Sequence, residues 1–268
     1  MSRYKSFEHL RIAIDERIAT VTINRPEALN AINVDVHKEL ERIWAVIDAD
    51  PDVDAVIVTG AGRAFSSGGD IKKMRDRAGT EEGLHHALSI PAGNRRIMHG
   101  ILDLQQPVIA AVNGDVTGLG ATIALLCDAM IIAEDARIGD THVVAGLVAG
   151  DGGAVVWPLM VGPQRAKEFL MTGKLITGAE AVASGLGNAA VPADQVIDEA
   201  RAMAGRMLRH PKWAVRWTKL AINKQIRQQL NLVLDAGLGY ELATLFTEDH
   251  KEAAQAFAEK RKPQFKGY

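Results

Sequence analysis

Short apolar runs rich in β-branched residues alternate with helical patterns through the first half of the chain. Four of these runs predict strands, at residues 18–24, 53–60, 107–114 and 129–135. Between the first two runs, apolar side chains recur at helical spacing, and between the last two the stretch "GLGATIALLCD" predicts a buried helix. Strands that alternate with helices indicate an α/β fold with parallel strand pairing.

The last quarter of the chain has a different pattern. After about residue 192 it contains long amphipathic helical segments with no strand between them. We therefore expect two domains, a core over residues 1–195 and a helical region over residues 196–268. The apolar stripes of these helices need a surface to pack against. Self-association would provide one, and packing back on the chain's own core is the alternative.

Composition narrows the class of protein. The chain has 268 residues and is 47% hydrophobic, which is enough for a sizeable core. Its 31 basic and 33 acidic residues leave a net charge of -2, which argues against a nucleic-acid partner. The charged N-terminal stretch and the lack of a run of about 18 apolar residues predict a cytoplasmic protein without membrane contact. The single cysteine, Cys127, permits neither an intrachain disulfide nor a cysteine metal cluster, and we expect no metal.

Two glycine-rich turns lie between a predicted strand and a predicted helix. One is "AFSSGGDIKKM", which begins at Ala64, and the other is "NGDVTGLGATIALLCD", which begins at Asn113. Small residues let a ligand approach the backbone, and amides at a helix start are free to bind it. Two such amides on one oxygen would form an oxyanion hole. The second turn also matches a dinucleotide fingerprint in part, but Ile123 stands where the third glycine belongs, which disfavours a nicotinamide enzyme.

A third stretch, "GDTHVVAGLVAGDGGAVVW", sets a histidine and an aspartate among glycines and aliphatic residues. His142 is suited to act as a general base at neutral pH, and Asp151 could fix its tautomer and stabilise the imidazolium. The alternatives are structural: a core histidine bonded to a backbone carbonyl for His142 and a helix N-cap for Asp151. Asp140, two residues before the histidine, is a further candidate, although a residue so placed more often caps or solvates a loop.

These motifs together resemble one family. "NRPEALNAIN", both glycine-rich turns and the C-terminal "AFAEKRKPQFKG" are similar to the enoyl-CoA hydratase/isomerase family, the crotonases, from about residue 8 to the end. The resemblance implies a spiral of ββα turns followed by a helical trimerisation region, assembled as a trimer or a dimer of trimers. It also implies a coenzyme A thioester substrate, with no separate cofactor, whose carbonyl oxygen lies between the amides of Gly69 and Leu119.

The resemblance also suggests which residues bind and react. Ala64, Lys72 and Lys260 are expected to contact coenzyme A, although a charged run such as the one around Lys72 is more often a solvated helix face. In the family's hydratases two glutamates carry out acid–base catalysis, and their positions here hold Thr122 and His142. A threonine hydroxyl can orient water but cannot take up a proton near neutral pH, so the two-carboxylate mechanism should be crippled.

The stretch from residue 139 to residue 162 resembles the β-diketone hydrolase branch of the crotonases, typified by 6-oxocamphor hydrolase. There a histidine and an aspartate at these two places act on water that cleaves a carbon–carbon bond. That branch carries a further histidine where this chain has Leu119, and the coenzyme-A-like tail is retained here. We therefore expect hydrolytic carbon–carbon cleavage by His142 and Asp151. The alternatives are enoyl-CoA hydration or isomerisation with a relocated base, and acyl-CoA binding without turnover.

Overall fold

The computed structural model describes residues 2–77 and 80–268, and only the backbone of residues 2, 74, 75 and 77. Its strands are β1 (Leu10–Asp15), β2 (Ile18–Ile23), β3 (Ala55–Gly60), β4 (Ala64–Ser66), β5 (Val108–Val112), β6 (Asp115–Thr117), β7 (Ala129–Ala133), β8 (Arg137–Gly139), β9 (Ile176–Thr177) and β10 (Ala189–Val191). Its α-helices are α1 (Val34–Asp48), α2 (Ile71–Arg77), α3 (Glu81–Asp103), α4 (Leu119–Leu126), α5 (Gly153–Val161), α6 (Pro163–Thr172), α7 (Gly178–Ser184), α8 (Val196–Leu208), α9 (Lys212–Thr244) and α10 (Glu248–Glu259).

The larger sheet has six strands in the order β1-β2-β3-β5-β7-β10. The hairpin β1–β2 is antiparallel, and every other neighbouring pair is parallel. The four strands predicted from the sequence are confirmed as β2, β3, β5 and β7. Strands β3, β5 and β7 are buried along their whole length, which is why they read as continuous apolar runs rather than alternating ones.

A second sheet of four short strands, β4-β6-β8-β9, lies beside the first. Strands β4, β6 and β8 each follow directly on a strand of the larger sheet and pair in parallel with one another. The unit strand, short strand, helix therefore repeats along the chain, and the predicted spiral of ββα turns is confirmed. The sequence pattern missed this sheet because strands of two or three residues are too short to show alternation.

Helix α1 shows how the apolar spacing becomes core. Its predicted apolar face, Val36, Leu40, Ile43, Trp44 and Ile47, is no more than 1% exposed. The helix begins after Asn33, whose side chain accepts a hydrogen bond from the amide of Val36. The buried face packs against α3, and α3 in turn forms one wall of the site described below.

The C-terminal segment is helical, as expected. Helix α8 packs on β3, β5 and β7, so the helical segment starts within the main layers of the fold. The division into domains at residue 195 stays a prediction, and so does assembly into trimers, although α9 and α10 expose large apolar side chains such as Trp213, Trp217 and Phe257. Among the described helices, none combines the length and the apolar character that a bilayer-spanning segment requires.

A buried lysine links α9 to the core through an ion pair and a hydrogen bond. The Nζ of Lys219 lies 2.8 Å from Asp128 Oδ2 and donates a hydrogen bond of 2.8 Å to the carbonyl of Gln106. The carboxylate of Asp128 also accepts the amide of Val108, the first residue of β5. One charge pair thus joins α9 to the centre of the larger sheet.

We expect Lys219→Met to lower the free energy of unfolding by about 3 kcal/mol, because it leaves the carboxylate of Asp128 without its counter-ion. Urea denaturation followed by circular dichroism measures the change. The matched control is Lys174→Met, which removes the half-exposed pair with Glu168 and should cost less than about 1 kcal/mol. Equal losses in the two variants would contradict the role of Lys219.

Candidate active site

A cavity of about 520 Å³ opens between the two glycine-rich turns, α3 and the C-terminal helices. Most of its surface area is apolar, and its lining also includes ionisable side chains, among them His142, Asp151 and Glu241. Four of the residues predicted from the sequence line it, namely Gly69, Leu119, His142 and Asp151. The spiral therefore brings together residues separated by more than 80 positions in the chain.

The two glycine-rich turns lie against each other at this cavity. A Cβ placed on Gly118 would lie 3.6 Å from the Cα of Gly68 and 3.5 Å from Cε1 of His142. Leu119 is the first residue of α4, where the amide has no partner within the helix. Among the described residues, no hydrogen bond uses the N–H of Gly69 or of Leu119. Both amides are therefore free to bind an oxygen atom in the cavity.

The imidazole of His142 lies between two buried carboxylates. Nδ1 is 2.6 Å from Asp140 Oδ1, and Nε2 is 3.3 Å from Asp151 Oδ2. Asp140 also accepts the backbone amide of His142 at 3.1 Å. The three groups form a chain, carboxylate–imidazole–carboxylate, at the side of the cavity.

This geometry corrects the roles expected from the sequence. Asp140, expected to cap or solvate a loop, is the acid that holds Nδ1 and so fixes the orientation of the ring. Asp151, expected to orient the ring, lies at the other nitrogen, Nε2, and lines the cavity. Asp151 is also not the N-cap of α5, which is Gly152.

The glycines of this stretch are required by close approach. Gly152 has φ of 110°, and a Cβ there would lie 2.7 Å from Thr122 Cγ2 and 2.8 Å from Met98 Sδ. A Cβ on Gly153 would collide with Oδ2 of Asp140. Larger residues at these two positions would push α5 away from the carboxylate–imidazole chain.

Thr122 takes a position other than the one expected. Its side chain is fully buried, and its Oγ1 donates a 3.4 Å hydrogen bond to Asp151 Oδ1. It is thus placed behind Asp151, where it can hold the carboxylate in position, and no described contact places it against the cavity.

The two carboxylates favour the charged form of the His142 imidazole. Burial favours the neutral imidazole, but Asp151 and Asp140 outweigh it, so the pKa of His142 is held well above its ordinary value. Burial likewise acts to raise the pKa of Asp140, and the adjacent imidazole outweighs it and lowers that pKa. The two carboxylates therefore favour the imidazolium form of His142.

Sequence reasoning missed Glu241. It lies on α9 and lines the cavity, with Oε1 4.0 Å from His142 Nε2. Its other oxygen, Oε2, is buried with no hydrogen-bond partner among the described residues. Burial, and then the neighbouring Asp151, raise the pKa of Glu241 to about 8. At neutral pH this side chain is mostly a neutral carboxylic acid next to the imidazolium.

The three residues expected to contact coenzyme A lie elsewhere. Ala64 is buried in β4, and its carbonyl accepts a 2.8 Å hydrogen bond from Asn30 Nδ2. Lys72 and Lys260 are exposed, and none of the three lines the cavity. Their role in binding coenzyme A stays a prediction.

Asp140, His142 and Asp151 also form the one group of possible metal ligands among the described residues, with ligand atoms within 4.8 Å of one another. The two carboxylates bind opposite nitrogens of the same ring, however. The ring thus stands between them, which is the arrangement of a hydrogen-bonded chain rather than of ligands around one ion. The expectation of no metal stays a prediction.

A spiral of ββα turns with free main-chain amides beside an acid–base cluster defines a crotonase-fold protein. The family model for enoyl-CoA hydratase/isomerase matches residues 13–268. The chain is 34% identical over 261 residues to crotonyl-CoA hydratase of Syntrophomonas wolfei, covering 97% of this chain and 98% of the relative. It is 37% identical over 251 residues to short-chain-enoyl-CoA hydratase of Clostridium acetobutylicum, covering 92% and 93%. The chain belongs to the enoyl-CoA hydratase/isomerase family.

Solved structures agree. A crystal structure of an enoyl-CoA hydratase/isomerase from Mycobacterium paratuberculosis superposes with a TM-score of 0.86 at 37% identity, covering 92% of this chain and 97% of that one. The fold class and the family expected from the sequence are therefore confirmed.

We expect Asp140→Asn to lower the pKa of His142, because it removes one of the two carboxylates that stabilise the imidazolium. A titration of the His142 Cε1–H resonance by NMR measures the shift. Asp135→Asn, at an exposed position five residues earlier, is the control and should leave this pKa unchanged. A titration curve of Asp140→Asn that overlays the wild type would disprove the electrostatic role of Asp140.

Proposed function

We propose that this family member hydrolyses a carbon–carbon bond of a 1,3-dicarbonyl compound by a retro-Claisen reaction. The observation that carries the proposal is the His142 ring, held between Asp140 and Asp151 beside two free amides. A carbonyl-polarising site next to a base that can activate water is what such a reaction needs.

The amides of Gly69 and Leu119 bind the carbonyl oxygen that becomes the enolate oxygen. Preorganised N–H groups in a cavity with a largely apolar wall stabilise developing negative charge more than water does. These donors need no side chain, so a change of the neighbouring acid–base residues leaves them intact. The enolate leaving group is thereby favoured.

The pair His142–Asp151 activates water. In the reactive form the ring has lost the proton at Nε2. Nδ1 keeps its proton and donates a hydrogen bond to Asp140. A water molecule next to Nε2 then transfers a proton to the pair, and its oxygen attacks the second carbonyl carbon of the substrate. Asp151 stabilises the imidazolium that results.

Glu241 supplies the proton that the departing carbon needs. It is protonated at neutral pH and lies 4.0 Å from His142 Nε2. When the carbon–carbon bond breaks, its electrons form the enolate, and Glu241 protonates the α-carbon. The proton taken from water then returns from the His142 pair to Glu241. Hydrolysis leaves a carboxylic acid on one side of the broken bond and a ketone on the other, or an acyl-CoA thioester where the substrate carries coenzyme A. In a cyclic diketone both groups remain in one ring-opened molecule. The net change is the addition of one water molecule.

We propose that the 1,3-dicarbonyl group is part of either a free cyclic diketone or an acyl-CoA, with coenzyme A as part of the substrate and no separate cofactor. A cavity of about 520 Å³ with a mostly apolar surface suits a compact ring. The coenzyme A alternative is supported by the family and by the retained C-terminal tail. Cytoplasmic location, trimeric or hexameric assembly and the lack of a nucleic-acid partner belong to the same proposal.

Hydration of an enoyl-CoA is the second candidate, because curated relatives at 34–37% identity are named as hydratases. The same acid–base groups would then add water to a carbon–carbon double bond. Turnover of crotonyl-CoA without turnover of any 1,3-diketone would favour hydration. Tight coenzyme A binding without any product would favour a silent acyl-CoA-binding protein.

We expect His142→Gln to lower kcat/KM on a cyclic 1,3-diketone by about 10²- to 10⁴-fold, because the activating base is lost. Ring-opened acid, quantified by chromatography, measures the rate. His210→Gln, at an exposed position two residues after the end of α8, should retain full activity. An unchanged rate in His142→Gln would exclude this mechanism.

We expect a bell-shaped pH dependence of kcat/KM. The rising limb should have an apparent pKa above that of an ordinary histidine, because His142 must first lose a proton. The falling limb should lie near pH 8, where Glu241 loses the proton that it donates. Both apparent values belong to the coupled cluster. In Glu241→Gln the falling limb should disappear; its persistence would rule out Glu241 as the acid.

A further inference from the structure

The segment that carries His142 and Asp151 is held in place by the C-terminal helices. The amide of Val148 donates a 3.3 Å hydrogen bond to Thr244 Oγ1, at the end of α9. Gly150 packs so tightly on α9 that a Cβ there would collide with the carbonyl of Gly237. Helix α10 makes a further contact, through a histidine.

His250 is that histidine. It is 4% exposed, in the first turn of α10, and its amide donates to Thr247, the N-cap of the helix. Its Nδ1 lies 2.7 Å from the carbonyl oxygen of Ala145. Since a carbonyl can only accept, Nδ1 carries the proton. Burial, partly opposed by this bond, lowers the pKa of His250, so the ring is neutral.

The acceptor, Ala145, ends the short turn that begins at His142. The carbonyl of His142 accepts the amides of Ala145 at 2.9 Å and of Leu147 at 2.8 Å. Gly146, with φ of 70°, brings the turn so close to α10 that a Cβ would lie 2.9 Å from the Cα of His250. A hydrogen bond to Ala145 therefore fixes the backbone from which the His142 ring extends.

We propose that His250 is a positioning residue: its Nδ1–H bond to Ala145 holds the turn 142–147 so that the His142 imidazole stays between Asp140 and Asp151. The acid–base site then depends on α10, a helix more than 100 positions further along the chain. The proposed function is needed only for the kinetic part of the test, because the position of the His142 ring can be measured without substrate.

The test compares two substitutions that differ in the position of the amide donor. In His250→Asn the side-chain amide nitrogen can occupy the place of Nδ1, whereas in His250→Gln it reaches the place of Nε2. His250→Phe keeps a ring of similar shape without any donor, and so guards against a poorly folded glutamine variant. His210→Gln is the control for a histidine change at an exposed site. Circular dichroism and thermal melting confirm that each variant is folded.

The first measurement is the imidazole N–H resonance of His142, identified by its absence in His142→Gln. We expect it to keep its position in His250→Asn and His210→Gln, and to shift or broaden in His250→Gln and His250→Phe. The second is the rate. We expect kcat to fall by about tenfold in His250→Gln and His250→Phe, with KM nearly unchanged. A fall of this size is consistent with the loss of one hydrogen bond to a buried carbonyl.

Two outcomes would overturn the proposal. One is a His142 resonance in His250→Gln and His250→Phe that matches the wild type, since the ring would then contribute packing alone. The other is equal disturbance in His250→Asn and His250→Gln, since the donor position would then not matter. If the wild type fails to cleave any diketone, the proposed function fails while the resonance comparison still decides the role of His250.

Discussion

The site depends on one buried contact, the His142 imidazole between the carboxylates of Asp140 and Asp151. Burial of any one of these groups in its charged form would carry a large desolvation cost. Here that cost is offset because each ring nitrogen of His142 contacts a carboxylate. This contact explains the glycines that surround it in the sequence. Gly152 and Gly153 let α5 pack closely against the carboxylate–imidazole–carboxylate group, because a side chain at either position would displace Thr122 or Asp140.

The fold separates two tasks. Parallel pairing of β4 with β6 brings the two glycine-rich turns side by side, so the main chain alone presents the amides of Gly69 and Leu119. The acid–base groups come instead from the segment after β8 and from α9. Since the proposed oxyanion site is made of backbone, changes of the side chains around it would leave its two N–H donors in place. Family membership therefore establishes the fold, while the chemistry at the proposed polarising site depends on the side chains around it.

The features that could be predicted from the sequence are those that depend on local residue patterns. Strands β2, β3, β5 and β7 are apolar runs, and the glycine-rich turns indicate backbone amides that are accessible to a ligand. His142 and Asp151 drew attention because they interrupt an apolar stretch, and the family resemblance then suggested their catalytic role. Glu241 was missed because it lies about 90 positions further on, in an amphipathic helix where a glutamate usually faces solvent. Only the packing of α9 against the cavity gives it another role. The function of Asp140 depended on which ring nitrogen each carboxylate contacts, which spacing cannot show.

The charges around the His142 ring favour an uncharged reacting group on that side of the cavity, whose lining also includes the cationic Lys73 and Lys251. Two carboxylates and the neutral acid of Glu241 surround a single imidazolium, so this side has no surplus positive charge for an anionic substrate group. In the proposed reaction the developing enolate oxygen is instead stabilised at the amides of Gly69 and Leu119, which belong to the two glycine-rich turns. Negative charge that forms there is stabilised by N–H dipoles, while the carboxylates stabilise positive charge on His142. Substrate polarisation and proton transfer can thus proceed in one cavity without mutual repulsion.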